Sequence, residues 1–180
     1  MTTTRLVYVL GVAAIAVIVN AGTNAAQTAQ RATESESING KKVAIEYSRP
    51  TAKDGKALGV VVPYGQVWSL GDAVLTTDVA LKFDQCSIPP GTYNLFAVPN
   101  ETPPWNLIIA KRQGTTHAYD KGLELCREKM GKSGSGLNKP PEQLSLLIIR
   151  IPTSPIDLGI SLFVIQWGET RVDSMFSARP

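Results

Sequence analysis

Arg49 stands between Ser48 and Pro50 at the end of an alternating segment. A guanidinium held there offers a rigid two-pronged donor to a carboxylate or phosphate. The same fork would serve equally well in a buried ion pair with Asp72 or Glu169, so both readings stand. Asp72 follows Gly71 in a turn shortly after Trp68. A carboxylate in such a turn either faces a pocket or caps the turn's own backbone donors. Trp68, Trp105, Tyr64, Tyr93 and Tyr119 could floor a site for a sugar or peptide, or simply fill the core of a small domain. The candidates for ligand binding are therefore Arg49, Trp68, Asp72, Trp105 and Tyr119.

Other chemistries lack their residues. His117 is the sole histidine and has no paired ligand near it in sequence, so no metal site and no cofactor is expected. A serine hydrolase would have to use the same histidine, yet the chain holds no GxSxG elbow. Residues 131–136 (GKSGSG) contain glycine and lysine but not the order of a phosphate-cradling loop, and no buried strand precedes them. Glu46, Asp72, Asp78, Asp84, Glu101, Asp120 and Glu169 are scattered carboxylates whose meeting in space cannot be read from spacing. The expectation is a noncatalytic module that binds a small molecule, a glycan or an envelope protein. The alternative is a carboxylate-dependent hydrolase or isomerase working near Arg49 and Asp72.

The compartment follows from the first residues. Arg5 precedes an apolar run from Leu6 to Val19, and small or polar residues follow at 20–26. That is the pattern of a secretory signal. Cleavage is expected after Ala25, giving a signal at 1–25 and an extracytoplasmic product, periplasmic or secreted, with no membrane span after cleavage. An uncleaved anchor is the other reading, although a span needs about 20 apolar residues. The polar segment that follows reads as a disordered tether over 26–37, and a single domain is expected at 38–180. Loss of Arg5 with the leader turns a formal charge of +3 into +2, too weak to imply nucleic acid. Cys86 and Cys126 are the only cysteines. In an oxidising compartment they read as one disulfide, or else as two separate thiols.

Strand patterns position these residues. Val43, Ile45 and Tyr47 alternate with polar neighbours, as do Val79, Leu81 and Phe83, which marks half-buried antiparallel strands. In the run GTYNLFAVP, Tyr93, Leu95 and Ala97 would line one face while Asn94, Phe96 and Val98 line the other, so this strand is expected to be central. Trp105, Leu107 and Ile109 continue the pattern. Leu144–Ile151 and Ile160–Trp167 are short continuous apolar runs, and Arg171–Phe176 is expected as an edge strand. Prolines and glycines punctuate the intervals. The fold class is all-β, an antiparallel β-sandwich or partly closed barrel, with at most one short helix near 120–130. There Asp120 would cap Leu123, Cys126 and Met130, with Gly131 ending the helix. A loop rich in Gly, Ser and Lys is expected over 131–141.

Several of these landmarks occur together in one bacterial family. Tyr47, Arg49 and Pro50; Gly59, Val62, Pro63, Tyr64, Gly65, Val67 and Trp68; Gly71; Pro90–Tyr93, Leu95, Phe96 and Pro99; Trp105; and Trp167 with Gly168 stand in the order of that pattern. Over about 42–172 the chain resembles domain of unknown function family 2911, whose members are mostly exported β-domains. Ser69 stands where the family has arginine, the family's upstream basic residue appears here only as Lys56, and Gln113 replaces a tryptophan. The resemblance implies an extended conformation near 119–130 and brings no established activity.

Overall fold

The computed structural model describes residues 30–51, 57–132, 144–152 and 159–178. The leader and the loop expected at 131–141 fall outside these residues, apart from Gly131 and Lys132. The described residues form eleven strands: β1 (Gln30–Ile38), β2 (Lys41–Arg49), β3 (Val74–Thr77), β4 (Leu81–Lys82), β5 (Ser87–Ile88), β6 (Gly91–Val98), β7 (Trp105–Lys111), β8 (Glu124–Lys132), β9 (Leu144–Arg150), β10 (Ile160–Gly168) and β11 (Thr170–Ala178). Their order in the sheet is β1-β2-β3-β6-β7-β8-β11-β10-β9, with β4 joining β11 to β5. Every pairing is antiparallel. The sheet curls until its β9 edge returns to β2, so the fold is a nearly closed barrel. Curling in this way protects long edges that would otherwise be exposed to pairing.

Period-two alternation turns one set of side chains inward. Val43, Ile45 and Tyr47 of β2, Tyr93, Leu95 and Ala97 of β6, Trp105, Leu107 and Ile109 of β7, and Phe163, Ile165 and Trp167 of β10 meet in one continuous core. Two segments plug the ends. At one end Ala57, Val62 and Leu70 enter this core; at the other, Val79, Leu81, Phe83 and Ile88 do so. β6 is central, lying between β3 and β7. Its outward residue Phe96 joins Ile108 and Ala110 beneath Tyr119 and Leu123, a small second cluster on the outer face.

Four expectations change. The tether is structured from Gln30 onward, because β1 pairs with β2 over nine residues. Its inward positions are Ala32, Glu34, Glu36 and Ile38, and carboxylates at two of them hide the alternation. The helix near 120–130 is replaced by a single 3-10 turn, Lys121–Leu123, capped by Asp120, followed directly by β8. Cys126, Glu128 and Met130 all point inward along β8, and the polar residue in the middle disguises a strand. The segment around Val79–Phe83 forms only the two-residue β4, because it bends across the barrel end as a plug. Finally, β11 is interior, between β8 and β10; the sheet order ends at β1 and β9.

The two cysteines are joined. Cys86 and Cys126 form a disulfide with Cα atoms 5.6 Å apart, closing a loop of sequence separation 40. The plug carrying β4 and β5 is thereby tied to β8. Among the described residues, no helix is long and apolar enough to cross a membrane.

Candidate functional site

Antiparallel pairing places the ends of β2, β6, β8 and β10 beside the starts of β3, β7, β9 and β11. Arg49, Trp68, Asp72 and Trp105 all lie at this end of the barrel. Tyr119 does not; it precedes β8 on the outer face, where its ring meets Phe96 edge-on at 5.3 Å.

Arg49 is occupied by the fold itself. Its Nε donates to Leu147 O at 3.1 Å, and Leu147 N donates to Pro50 O at 3.2 Å. Tyr47 Oη accepts from Ile149 N at 3.0 Å and donates to Ile149 O at 3.3 Å. Further along, Ile151 N donates to Glu34 Oε1 at 3.3 Å. Side chains of β1 and β2 thus satisfy alternate backbone groups of β9 where an ordinary ladder would have done so. This clasp explains why tyrosine and arginine stand two residues apart at the end of β2: same-face neighbours on a strand reach alternate carbonyls of the strand opposite. Among the described residues, no carboxylate is paired with Arg49.

The turn after Trp68 is tied to the clasp. Leu70, Gly71 and Asp72 have φ of 51°, 69° and 52°, three successive residues in a region that L side chains avoid. The burial of Leu70 holds the first, and the bond from Ser48 N to Gly71 O at 2.6 Å holds the second. At Gly71 only a hydrogen fits, since a Cβ would collide with Ser48 O and press on Leu147. Asp72 is exposed at the rim, with no described carboxylate or cation bonded to it.

Trp68 is half-buried and exchanges two backbone hydrogen bonds with Ala97, at 2.8 and 2.9 Å. Its indole stacks on that of Trp167, with centroids 5.3 Å apart and planes 20° from parallel. Trp105 is fully buried and donates its indole N–H to Asn100 O at 3.0 Å. It supports this end from inside and offers no face to a ligand, which corrects the aromatic-floor reading for that residue.

Residues 57–68 form the cap over this end. Bonds from Val61 N and Val62 N to Ala57 O, from Gly59 N to Val62 O and from Gly65 N to Pro99 O pin the segment. The Tyr64 ring lies against the face of Gly59, where φ is +76° and a side chain would strike the ring. The cap nevertheless turns Val60, Val61, Tyr64 and Val67 to solvent, with Val60 55 % and Tyr64 40 % exposed. Of the three consecutive valines, only Val62 enters the core.

Two carboxylates outside the sequence candidates, Glu124 and Glu128, are held by the fold. Glu124 accepts from Arg127 Nε and Nη2, each at 2.8 Å, from Tyr119 Oη at 2.7 Å and from Lys121 Nζ at 3.1 Å. The Arg127 bonds foremost, with help from Tyr119 and Lys121 against the opposing effect of burial, lower its pKa to about 2. Burial first, and then the Glu124 bond, raise the Tyr119 pKa. Tyr119 is therefore a clamp on the loop before β8. Glu128 is 2 % exposed, accepting from Gln85 N at 3.0 Å and Ser174 Oγ at 2.9 Å. Its burial inside an all-apolar set was the signal, visible only once β8 is known to be a strand.

The family model described as "Protein of unknown function (DUF2911)" matches residues 29–176. The chain belongs to the DUF2911 family. No curated protein and no solved structure matches it. In this DUF2911 domain, most residues that carry the family resemblance sit at the capped end. Tyr47, Arg49 and Pro50 close the seam, Gly71 admits the turn, Gly59 and Tyr64 shape the cap, and Trp68 and Trp167 stack beneath it. Tyr93 is an exception at the other end, where its hydroxyl donates to Pro89 O at 2.7 Å. The family pattern thus describes mostly how the barrel is closed.

Proposed function

We propose that this DUF2911 domain is a noncatalytic, extracytoplasmic binding module that engages its partner through the capped end of the barrel. The observation carrying this reading is the apolar surface of Val60, Val61, Tyr64 and Val67 on a segment pinned by backbone hydrogen bonds, beside a half-buried Trp68. Apolar side chains grouped on a rigid surface are the usual mark of a recognition face, and a pre-ordered segment loses little entropy when it binds. The disulfide supports an oxidising compartment. Arg49, committed to Leu147 O through Nε, acts by holding the end together, with Asp72 on its rim.

A thermal-shift screen of residues 26–180 against sugars, peptides, nucleotides, carboxylates and metals tests this. A ligand at about a hundred times its dissociation constant adds roughly 2.7 kcal/mol. A stabilisation abolished by Trp68→Ala or Tyr64→Ala is expected. One that persists undiminished in both variants would overturn the placement of the site.

A further inference from the structure

At the opposite end of the barrel the β11 ladder is interrupted. β11 pairs with β8 only at Val172↔Lys132 and Asp173↔Gly131, and with β4 only at Ser177↔Lys82 and Ala178↔Leu81. Between these, β11 has no strand beside it on that flank. Ala178 N donates to Gly159 O, so the even-numbered backbone groups of β11 face β10 and the odd-numbered ones face β8 and β4. The N–H and C=O of Met175 therefore point into the gap, and no described residue pairs with them.

The gap is a cleft of about 620 Å³, within the range of ligand sites. Phe83 and Phe176, rings 5.5 Å apart, form its base. Met175 and Ile160, 59 % and 37 % exposed, form an apolar wall, with Ser177 between them and the charged side chains Lys82 and Asp84 at the rim. The opening is fixed by construction. Glu128 bonds to both Gln85 N and Ser174 Oγ, and the Cys86–Cys126 disulfide anchors the same loop to β8. These links set the distance between the plug and the barrel wall.

We infer that this cleft binds a short extended peptide segment. One residue of the segment pairs its N–H and C=O with those of Met175, its neighbours lie against Met175 and Ile160, and side chains of opposite charge meet Lys82 and Asp84. An amide backbone is the ligand whose donor and acceptor spacing matches an unpaired strand residue, which is the principle of strand addition. From Asp173 to Ser177 the strand advances about 13 Å, room for roughly four residues. This site is separate from the capped end and does not depend on the function proposed there.

The test is amide exchange and chemical-shift mapping on the ¹⁵N-labelled domain, using the capped pentapeptide acetyl-Lys-Val-Thr-Val-Glu-amide and its analogue N-methylated at threonine. In the free protein, Met175 N–H should exchange far faster than those of Ser174 and Phe176, which face β10. The peptide should slow it about tenfold or more and shift Ile160. The N-methyl analogue should do neither, and Lys82→Glu should weaken binding. Protection of Met175 equal to its neighbours in the free protein, no response at about 5 mM peptide, equal binding of the N-methyl analogue, or a Lys82→Glu variant that binds as well as the wild type would each overturn the proposal.

Discussion

Replacing Tyr47 by phenylalanine removes one oxygen and tests the clasp. The ring fills the same space, so core packing is conserved, while Ile149 loses the partner of both its N–H and its C=O. Ile149 is buried, so water cannot replace the hydroxyl without entering the seam. An unsatisfied buried backbone group costs about 1–3 kcal/mol; the long 3.3 Å bond to the carbonyl adds little, and the expected loss is about 2 kcal/mol. At roughly 2–4 °C per kcal/mol in a domain of this size, the midpoint should fall by about 4–8 °C. Urea unfolding gives the free energy, and hydrogen exchange locates the loss: the Ile149 amide should lose protection while the Leu95 amide, which donates to Ala73 O in the barrel wall, changes only with global stability. A loss below about 0.5 kcal/mol with Ile149 protection intact would show that the seam closes without the hydroxyl.

Three further outcomes follow. Gly71→Ala and Gly65→Ala impose similar backbone strain, at φ of 69° and 73°, but only Gly71 has a backbone oxygen where the Cβ would go; Gly71→Ala should cost at least about 2 kcal/mol more, measured by urea unfolding, and equal costs would contradict the close approach to Ser48. The Glu124 pKa falls from 4.5 to about 2 on folding, so its contribution, on the order of 3 kcal/mol, is fully present above about pH 4.5 and is lost as pH falls through 2. The midpoint gap between wild type and Glu124→Gln should therefore shrink across that window, and a gap independent of pH would refute the Arg127 clamp. Removing the disulfide by Cys86→Ala with Cys126→Ala should cost about 4 kcal/mol, seen in the urea midpoint, and a loss under about 1 kcal/mol would mean that Glu128 alone secures the plug.

The strands that carry apolar alternation were legible in the sequence. Val43, Ile45 and Tyr47 point inward as expected, and the two-faced pattern of Tyr93–Val98 does mark the central strand. Where polar residues take inward positions, the pattern vanishes. Glu34 and Glu36 made β1 look like a tether, and Glu128 made β8 resemble a helix. Both mistakes have one cause: a carboxylate beside a seam or plug is satisfied by distant groups, Ile151 N for Glu34 and Gln85 N with Ser174 for Glu128.

The candidate site was legible only in part. Four of its five residues converge because Tyr47–Pro50, Trp68–Asp72 and Trp105 all lie near strand ends on one side of the barrel. The role of Arg49 was beyond reach, since its partner is a backbone carbonyl 98 residues away, and carbonyls leave no trace in residue identity. Likewise Val60 and Val61 are exposed because the bonds to Ala57 O and Pro99 O turn the cap outward, a geometry that hydrophobicity alone does not encode.

A partner recognised by the capped end must come within crosslinking reach of Val60 and Tyr64. Photo-crosslinking from Val60 and from Tyr64 in living cells of the native host tests this directly, with a photoreactive residue at Lys129 on the barrel wall as the comparison site. One discrete adduct is expected from positions 60 and 64, absent at 129 and abolished by Val67→Glu. No adduct from the cap, or the same adducts from all three positions, would contradict recognition by the capped end.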